Sequence, residues 1–471
     1  MIMGKKVEVE WTDVQGIVLS GYGDLRRSAY LLWRFQSGDL QRNKNWLSAL
    51  LTRRLTPSQP GPSSKTQPAR NLALTPSGLR RLGVEQASLN SFSFEFLEGM
   101  APERAPGAPI PRRTNVLGDL GHSSPEKWNW GGWNEQTRDI DGLLMLFAVE
   151  AEIDQLIQDE LNALAGIADG KPMVLRGQLF DQEIEHFGFE DGFSQPKIEG
   201  RPNKSKGHSR MAKSEIKLGA EVKAGEFLLG YENERKASVI PKGQDRDIRR
   251  NGTYLVFRQL EQDVPAFNSF VCAVGQQIGE TGDWVAARLL GRWKNGDPLI
   301  PEKPNGNEED AKNNFLYHYE DRSGLKCPIG AHIRRANPRD SLGPDPETAL
   351  HLSKMHRIIR RGRPYGERWQ PNGANGHGDR AERGMLFIAL NADIAGQFEM
   401  IQHSWINNRH FNGLYTGTDP ISHFPDGEAI TIQNRPANFR VNRPKPFVTV
   451  RGGAYFFLPG LRALRDIATA K

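Results

Sequence analysis

The chain has 471 residues, 37% hydrophobic and 25% charged, which is enough apolar material for packed cores and excludes a disordered chain. Its formal charge of +6 is too small over this length to act as a nucleic-acid footprint. The two cysteines, Cys272 and Cys327, exclude a disulfide scaffold, a four-cysteine zinc site and an iron–sulfur cluster held by four cysteines.

At roughly 100–200 residues per domain, the length predicts two to four domains. The start, MIMGKKVEVEWTD, has a basic pair but no apolar core of a signal peptide. The most apolar run, Gly142 to Val149, is far short of the ~20 residues that a membrane helix needs. The expectation is a cytoplasmic protein with no membrane partner.

In chain order, Ala29–Phe35 (AYLLWRF) reads as a strand followed by a helix around Trp46–Leu55. Nine prolines between Pro57 and Pro111 predict a long surface loop. Gly142–Val149 reads as a strand, and Ile153, Leu156, Ile157, Leu161 and Leu164 share one face of the helix after it. The Lys-rich stretch Asn203–Lys223 predicts a solvated insertion. Thr253–Phe257 (TYLVF) reads as a strand leading to a helix near Val264, and Glu302–Asn314 reads as a polar loop. Finally, Met385–Leu390 precedes Ile394, Phe398, Ile401 and Trp405, spaced as a helical face.

Four strand–helix units in two pairs predict an α+β fold of two ferredoxin-like domains, residues 1–240 and 241–471. Each would be an antiparallel sheet with helices on one face, leaving the other face to bury a ligand.

HExxH, GxxxxGK[ST], CxxC and CxxCH do not occur, so zinc-protease, P-loop and covalent c-type haem chemistry find no support. Three other segments carry candidate chemistry. Gly188-Phe189-Glu190-Asp191-Gly192 places a carboxylate between glycines, which let a backbone approach a flat ligand closely, although a bare GxxDG is more often a plain turn. Ala331-His332-Ile333-Arg334-Arg335 sets an imidazole beside two cations, as suits a buried anionic cofactor. Arg360-Arg361-Gly362-Arg363-Pro364-Tyr365-Gly366 is a basic turn.

Together, GxxDG, then AHIRR 141 residues on (332 − 191), then RxGxPYG 28 residues further (360 − 332), resemble the dye-decolourising peroxidases, a haem peroxidase family. The resemblance runs from Asp13-Val14-Gln15-Gly16 through Asn251–Phe257 and Phe411–Tyr415 to Arg451–Pro459. It implies haem b in the C-terminal half, hydrogen peroxide as oxidant, a dye, phenolic or other organic donor, and a ferryl intermediate. His332 matches the iron ligand, Asp191 the distal acid–base carboxylate and Arg360 the distal arginine. Arg334 matches a haem-propionate partner, Met385 and Phe387 fall on the strand lining the distal pocket, and Asp419 falls where an acid accepts the histidine's other N–H. The family more often has Leu where this chain has Met385, a side chain that peroxide can oxidise.

The residue types suit the chemistry. One positioned carboxylate can take a proton from one peroxide oxygen and give it to the other, and an arginine stabilises the developing anion. Unperturbed carboxylates titrate near pH 4, so activity is expected to peak at acidic pH. Trp128, Trp130, Trp133 and Tyr365 are candidate electron relays to bulky donors. Three other readings are weighed at this point: Cys327 as a thiolate ligand, a haem-handling protein with little peroxidase turnover, and a basic RNA-binding protein on ferredoxin-like sheets, for which the aromatic RNP-type strand motif is missing.

Overall fold

The computed structural model describes residues 8–58, 66–105, 107–202, 221–241, 243–244, 246–300, 312–370, 381–422, 429–442 and 445–470. The regular elements that position the site are β1 (Arg27–Trp33), α1 (Leu40–Thr52), β2 (Ala69–Leu74), β3 (Gly142–Ala148), α2 (Glu150–Leu164) and β4 (Met173–Gln178) in the first part of the chain. They continue with β5 (Thr253–Gln262), α3 (Val264–Ile278), α4 (Gly282–Leu290), the short α5 (His332–Ala336), β6 (Ile359–Arg360), β7 (Arg363–Tyr365) and β8 (Gly384–Asn391). Two consecutive π-helical segments (Ala395–Glu399 and Ile401–Ile406), β9 (Val448–Leu458) and α6 (Leu461–Thr469) follow.

All nine strands form one sheet in the order β4-β1-β3-β2-β9-β5-β8-β6, with β7 also pairing β8. Strands β1 to β4 and strands β5, β6/β7, β8 and β9 repeat one arrangement: counted within each set, the order is 4-1-3-2, the ferredoxin-like topology. The two sets meet where Phe457 of β9 pairs Leu74 of β2. No helix among the described residues is long and apolar enough to cross a membrane.

Both faces of the sheet are covered, which explains runs such as GLLMLFA in β3, buried at all seven positions. Leu144 and Leu146 face the helix layer, while Leu143, Met145 and Phe147 face a layer that includes Val14, Ile17, Phe227 and Leu228. The expected open face is therefore filled by the segments around residues 9–25 and 222–231. The cavity lies instead on the helix side, between β5, β8, α4 and the π-helical segments.

Pro57–Pro111 is not all loop. It contains β2, ARNLAL, and three short helices (Pro76–Arg81, Gln86–Leu89 and Phe94–Glu98). The polar positions of β2 are matched: Arg70 pairs with buried Glu160, and the Asn71 side chain accepts the Ile17 N–H. The helical face expected after Met385–Leu390 is π-wound, with Glu399 N–H donating to Ile394 O at 2.9 Å. The Lys-rich insertion lies outside the described residues from 203 to 220, as does 301–311 of the polar loop.

Candidate active site

Two glycines with positive φ, Gly188 (+94°) and Gly192 (+96°), bracket the loop that carries Asp191, a conformation that L side chains rarely adopt. The loop is fixed from below. Asp191 N–H donates to Glu183 O (3.0 Å), and the Glu185 carboxylate accepts the N–H groups of Phe187 and Phe189 (both 3.0 Å) and the Gln262 amide of β5 (2.8 Å). Arg360 reaches across from β6. Its Nη2 donates to Phe193 O at 2.8 Å, and its Nη1 stands 3.5 Å from Asp191 Oδ1, an ionic contact rather than a hydrogen bond. Both side chains remain partly open, 37% exposed for Arg360 and 44% for Asp191.

His332 begins α5 and lines the same cavity. Its Nδ1 lies 2.9 Å from Asp419 Oδ2, so Nδ1–H donates to the carboxylate and Nε2 is the nitrogen left for a ligand. The other Asp419 oxygen accepts the N–H groups of Ile421 (2.9 Å) and Ser422 (2.7 Å). Burial alone would raise the Asp419 carboxyl, but His332 and these donors hold it well below the usual carboxylate range.

The cavity occupies about 320 Å³ and is walled by apolar side chains including Leu260, Met385, Phe387, Phe398, Ile421 and Val448. The structure thus brings Asp191, Arg360, His332, Met385 and Phe387 to one space and sets Asp419 directly behind His332. Arg334 does not join them. It is fully buried away from the cavity, donating to Cys327 O (2.8 Å) and Asp321 O (3.0 Å) and lying over the Tyr317 ring. Neighbouring residues on a helix point about 100° apart, and in α5 the turn that aims His332 at the cavity aims Arg334 into the protein.

The rest of the cationic lining comes from residues outside the three motifs. Arg292, Arg339 and Arg357 all line the cavity around Ser194. Arg339 Nη2 donates to Ser194 Oγ (3.1 Å) and Arg357 Nη2 to Ser194 O (2.6 Å). Arg292 donates to Gly296 O and Lys312 O and, through Nη2, to Ser194 Oγ and the Asn313 side-chain oxygen (both 3.3 Å), all neutral acceptors. Burial, reinforced by neighbouring arginines, pulls Arg357 down to about 9 and Arg292 to about 10. Arg258 also lines the cavity, but its charge is matched by buried Asp119.

An apolar slot that His332 enters, with arginines that form no ion pair among the described residues, fits haem, whose ring is flat and apolar and whose propionates are anionic. Cys327 is buried outside the cavity, and burial pushes its thiol up to about 11, which removes it as a thiolate ligand. Trp128 and Trp130 are buried away from the cavity, Trp130 donating to the Gln259 side chain at 2.9 Å, and neither Trp133 nor Tyr365 lines it.

No family model matches the chain. In sequence it is 29% identical to Peroxidase 2 of Mycetinis scorodonius, over 98% of this chain and 88% of that protein. It is 28% identical to the dye-decolorizing peroxidase msp1 of the same organism, over 97% of this chain and 87% of that one. In structure it superposes on a DyP-type peroxidase of Anabaena sp. with a TM-score of 0.77 at 25% identity, covering 97% of this chain and 94% of the other. Fold and sequence together define the class as a haem-dependent peroxidase. Within that class, the relatives and the solved structure it resembles are dye-decolourising, or DyP-type, peroxidases.

Proposed function

We propose that the protein binds haem b through His332 and reduces hydrogen peroxide to water while oxidising dyes, phenolics or other organic donors. The observation that carries this reading is the Asp191–Arg360 contact at 3.5 Å on the wall of the cavity that His332 enters. A haem carrier has no need of an acid–base carboxylate and a fixed cation there. Without CxxCH there is no thioether attachment, which favours non-covalent haem b. Residues 1–240 supply Asp191 and residues 241–471 supply His332, Asp419 and Arg360, so the site needs both proposed domains.

When bound, haem supplies the iron that takes up peroxide and the electrons that cleave its O–O bond. Asp191 would take the proton from one peroxide oxygen and return it to the other, which then leaves as water. Arg360 stays charged throughout and stabilises the hydroperoxide anion and the charge that develops as the bond breaks. Asp419 accepts the Nδ1 proton of His332, fixing the ring and raising its basicity at Nε2. Arg292, Arg339 and Arg357 would hold the propionates by charge-assisted hydrogen bonds. Phe387, Leu260 and Val448 keep the pocket dry.

The test is haem titration followed by peroxide-dependent oxidation of an anthraquinone dye, with wild type and His332→Ala. One haem per chain, dye turnover in wild type and loss of both in the variant are expected. Haem uptake with no dye turnover would favour haem handling, and no haem uptake would overturn the proposal.

A further inference from the structure

We propose that Arg335 is the positioning residue that holds Asp419 against His332. Its guanidinium is fully buried, and it donates to backbone carbonyls in three segments. Nε donates to Gly330 O (3.1 Å), Nη1 to Trp405 O (2.7 Å) and Asn408 O (2.8 Å), and Nη2 to Gly417 O. The ring of Phe411 lies 5.0 Å from the guanidinium carbon. Gly330 is two residues before His332, and Gly417 is two residues before Asp419. Asp419 N–H in turn donates to Ile406 O (3.0 Å), beside the Trp405 and Asn408 carbonyls. One rigid fork therefore ties the histidine's helix, the end of the π-helical segment and the aspartate's loop together.

Burying a cation among neutral acceptors is costly, so its placement between the two halves of the His332–Asp419 pair calls for a role. Arg334, equally buried, spends its donors on Cys327 and Asp321, on the side away from Asp419. Arg335 is instead the link through which the aspartate's loop is registered against the imidazole. A charge-assisted hydrogen bond weakens steeply as its angle opens, so loosening this link weakens the Asp419 acceptor. The histidine becomes a poorer donor to the metal, and the ferric state loses its advantage over the ferrous.

The inference rests on His332 being the haem ligand, and the test separates the two. The midpoint potential of the ferric/ferrous couple is measured for the haem-loaded protein and for Arg335→Lys, Asp419→Asn and the double variant. Lysine keeps the charge, but a single nitrogen cannot bridge carbonyls in three segments. Arg335→Lys is expected to raise the potential in the same direction as Asp419→Asn, by a tenfold change in the redox equilibrium, about 59 mV for one electron. The double variant is expected to match Asp419→Asn alone, because both changes act through one contact. A wild-type potential in folded Arg335→Lys, or additive shifts, overturns the role of Arg335. If Asp419→Asn itself leaves the potential unchanged, the reading of the His332–Asp419 pair fails instead. Should Arg335→Lys not fold, Arg335→Ala is measured with and without millimolar guanidinium. A potential that returns toward wild type with guanidinium supports the role, and one indifferent to it overturns it.

Discussion

Acid is expected to weaken this fold at one identifiable residue, His186. It sits two residues before Gly188, is 5% exposed, and has Phe180 edge-on at 5.0 Å. Its Nε2 contacts Tyr365 O at 2.8 Å, so it joins the loop carrying Asp191 to the segment just after Arg360. Nδ1 has no hydrogen-bond partner among the described residues. Burial, with Arg383 and Arg368 adding repulsion against the small gain from Tyr365, lowers the imidazole from 6.5 to about 4. Because the folded value is depressed, the unfolded chain takes up the proton first as pH falls. The contribution of His186 to stability is thus complete above pH ~6.5 and is lost as pH drops toward 4. At about 1.36 kcal/mol per pH unit, the loss between pH 8 and pH 4.5 is about 2.5 kcal/mol. His186→Gln keeps an N–H donor and removes the titration. Urea unfolding at the two pH values is expected to show wild type losing about 2.5 kcal/mol more than the variant. An equal loss in both proteins would refute the assignment.

Three further variants test the cavity and the core. Met385→Leu is expected to lengthen the life of the enzyme under excess peroxide, counted as turnovers before inactivation, because the oxidisable thioether leaves the cavity wall. Arg357→Met is expected to weaken haem retention at least tenfold, the equivalent of one charged hydrogen bond at about 1.5–3 kcal/mol, in a transfer assay to a haem scavenger. The same variant should raise the melting temperature of the haem-free chain, because it removes a buried charge that pairs with no carboxylate among the described residues. Glu160→Gln, which strips the fully buried carboxylate shared by Arg53 and Arg70, is expected to cost about 3 kcal/mol of stability while leaving dye turnover per bound haem unchanged.

The four strand–helix units were legible because a sheet buried on both faces writes its strands as apolar runs, and helices beside it show a single apolar face. Strand β2 escaped because Arg70 and Asn71 break its run, their partners Glu160 and Tyr22 lying far away in sequence. Asp191, His332 and Arg360 stood out only as a set with characteristic spacing; each motif by itself reads as a turn or a core residue. That Arg334 points away from the cavity was not legible, because sequence does not say which way a short helix faces. Arg292, Arg339 and Arg357 carry no local signal. Only the fold brings the three together around Ser194, with no ion pair among the described residues.

The most direct measurement is the stopped-flow rate at which one equivalent of peroxide shifts the Soret band of the haem-loaded protein, compared between wild type and Asp191→Asn. Asparagine keeps the size of the side chain and removes its proton-transfer capacity, so the rate constant is expected to fall roughly 10²- to 10⁴-fold with haem content and resting spectrum unchanged. A rate within about threefold of wild type, well inside the smallest loss expected for an acid–base group, would contradict the assignment of Asp191 as the group that moves the peroxide proton.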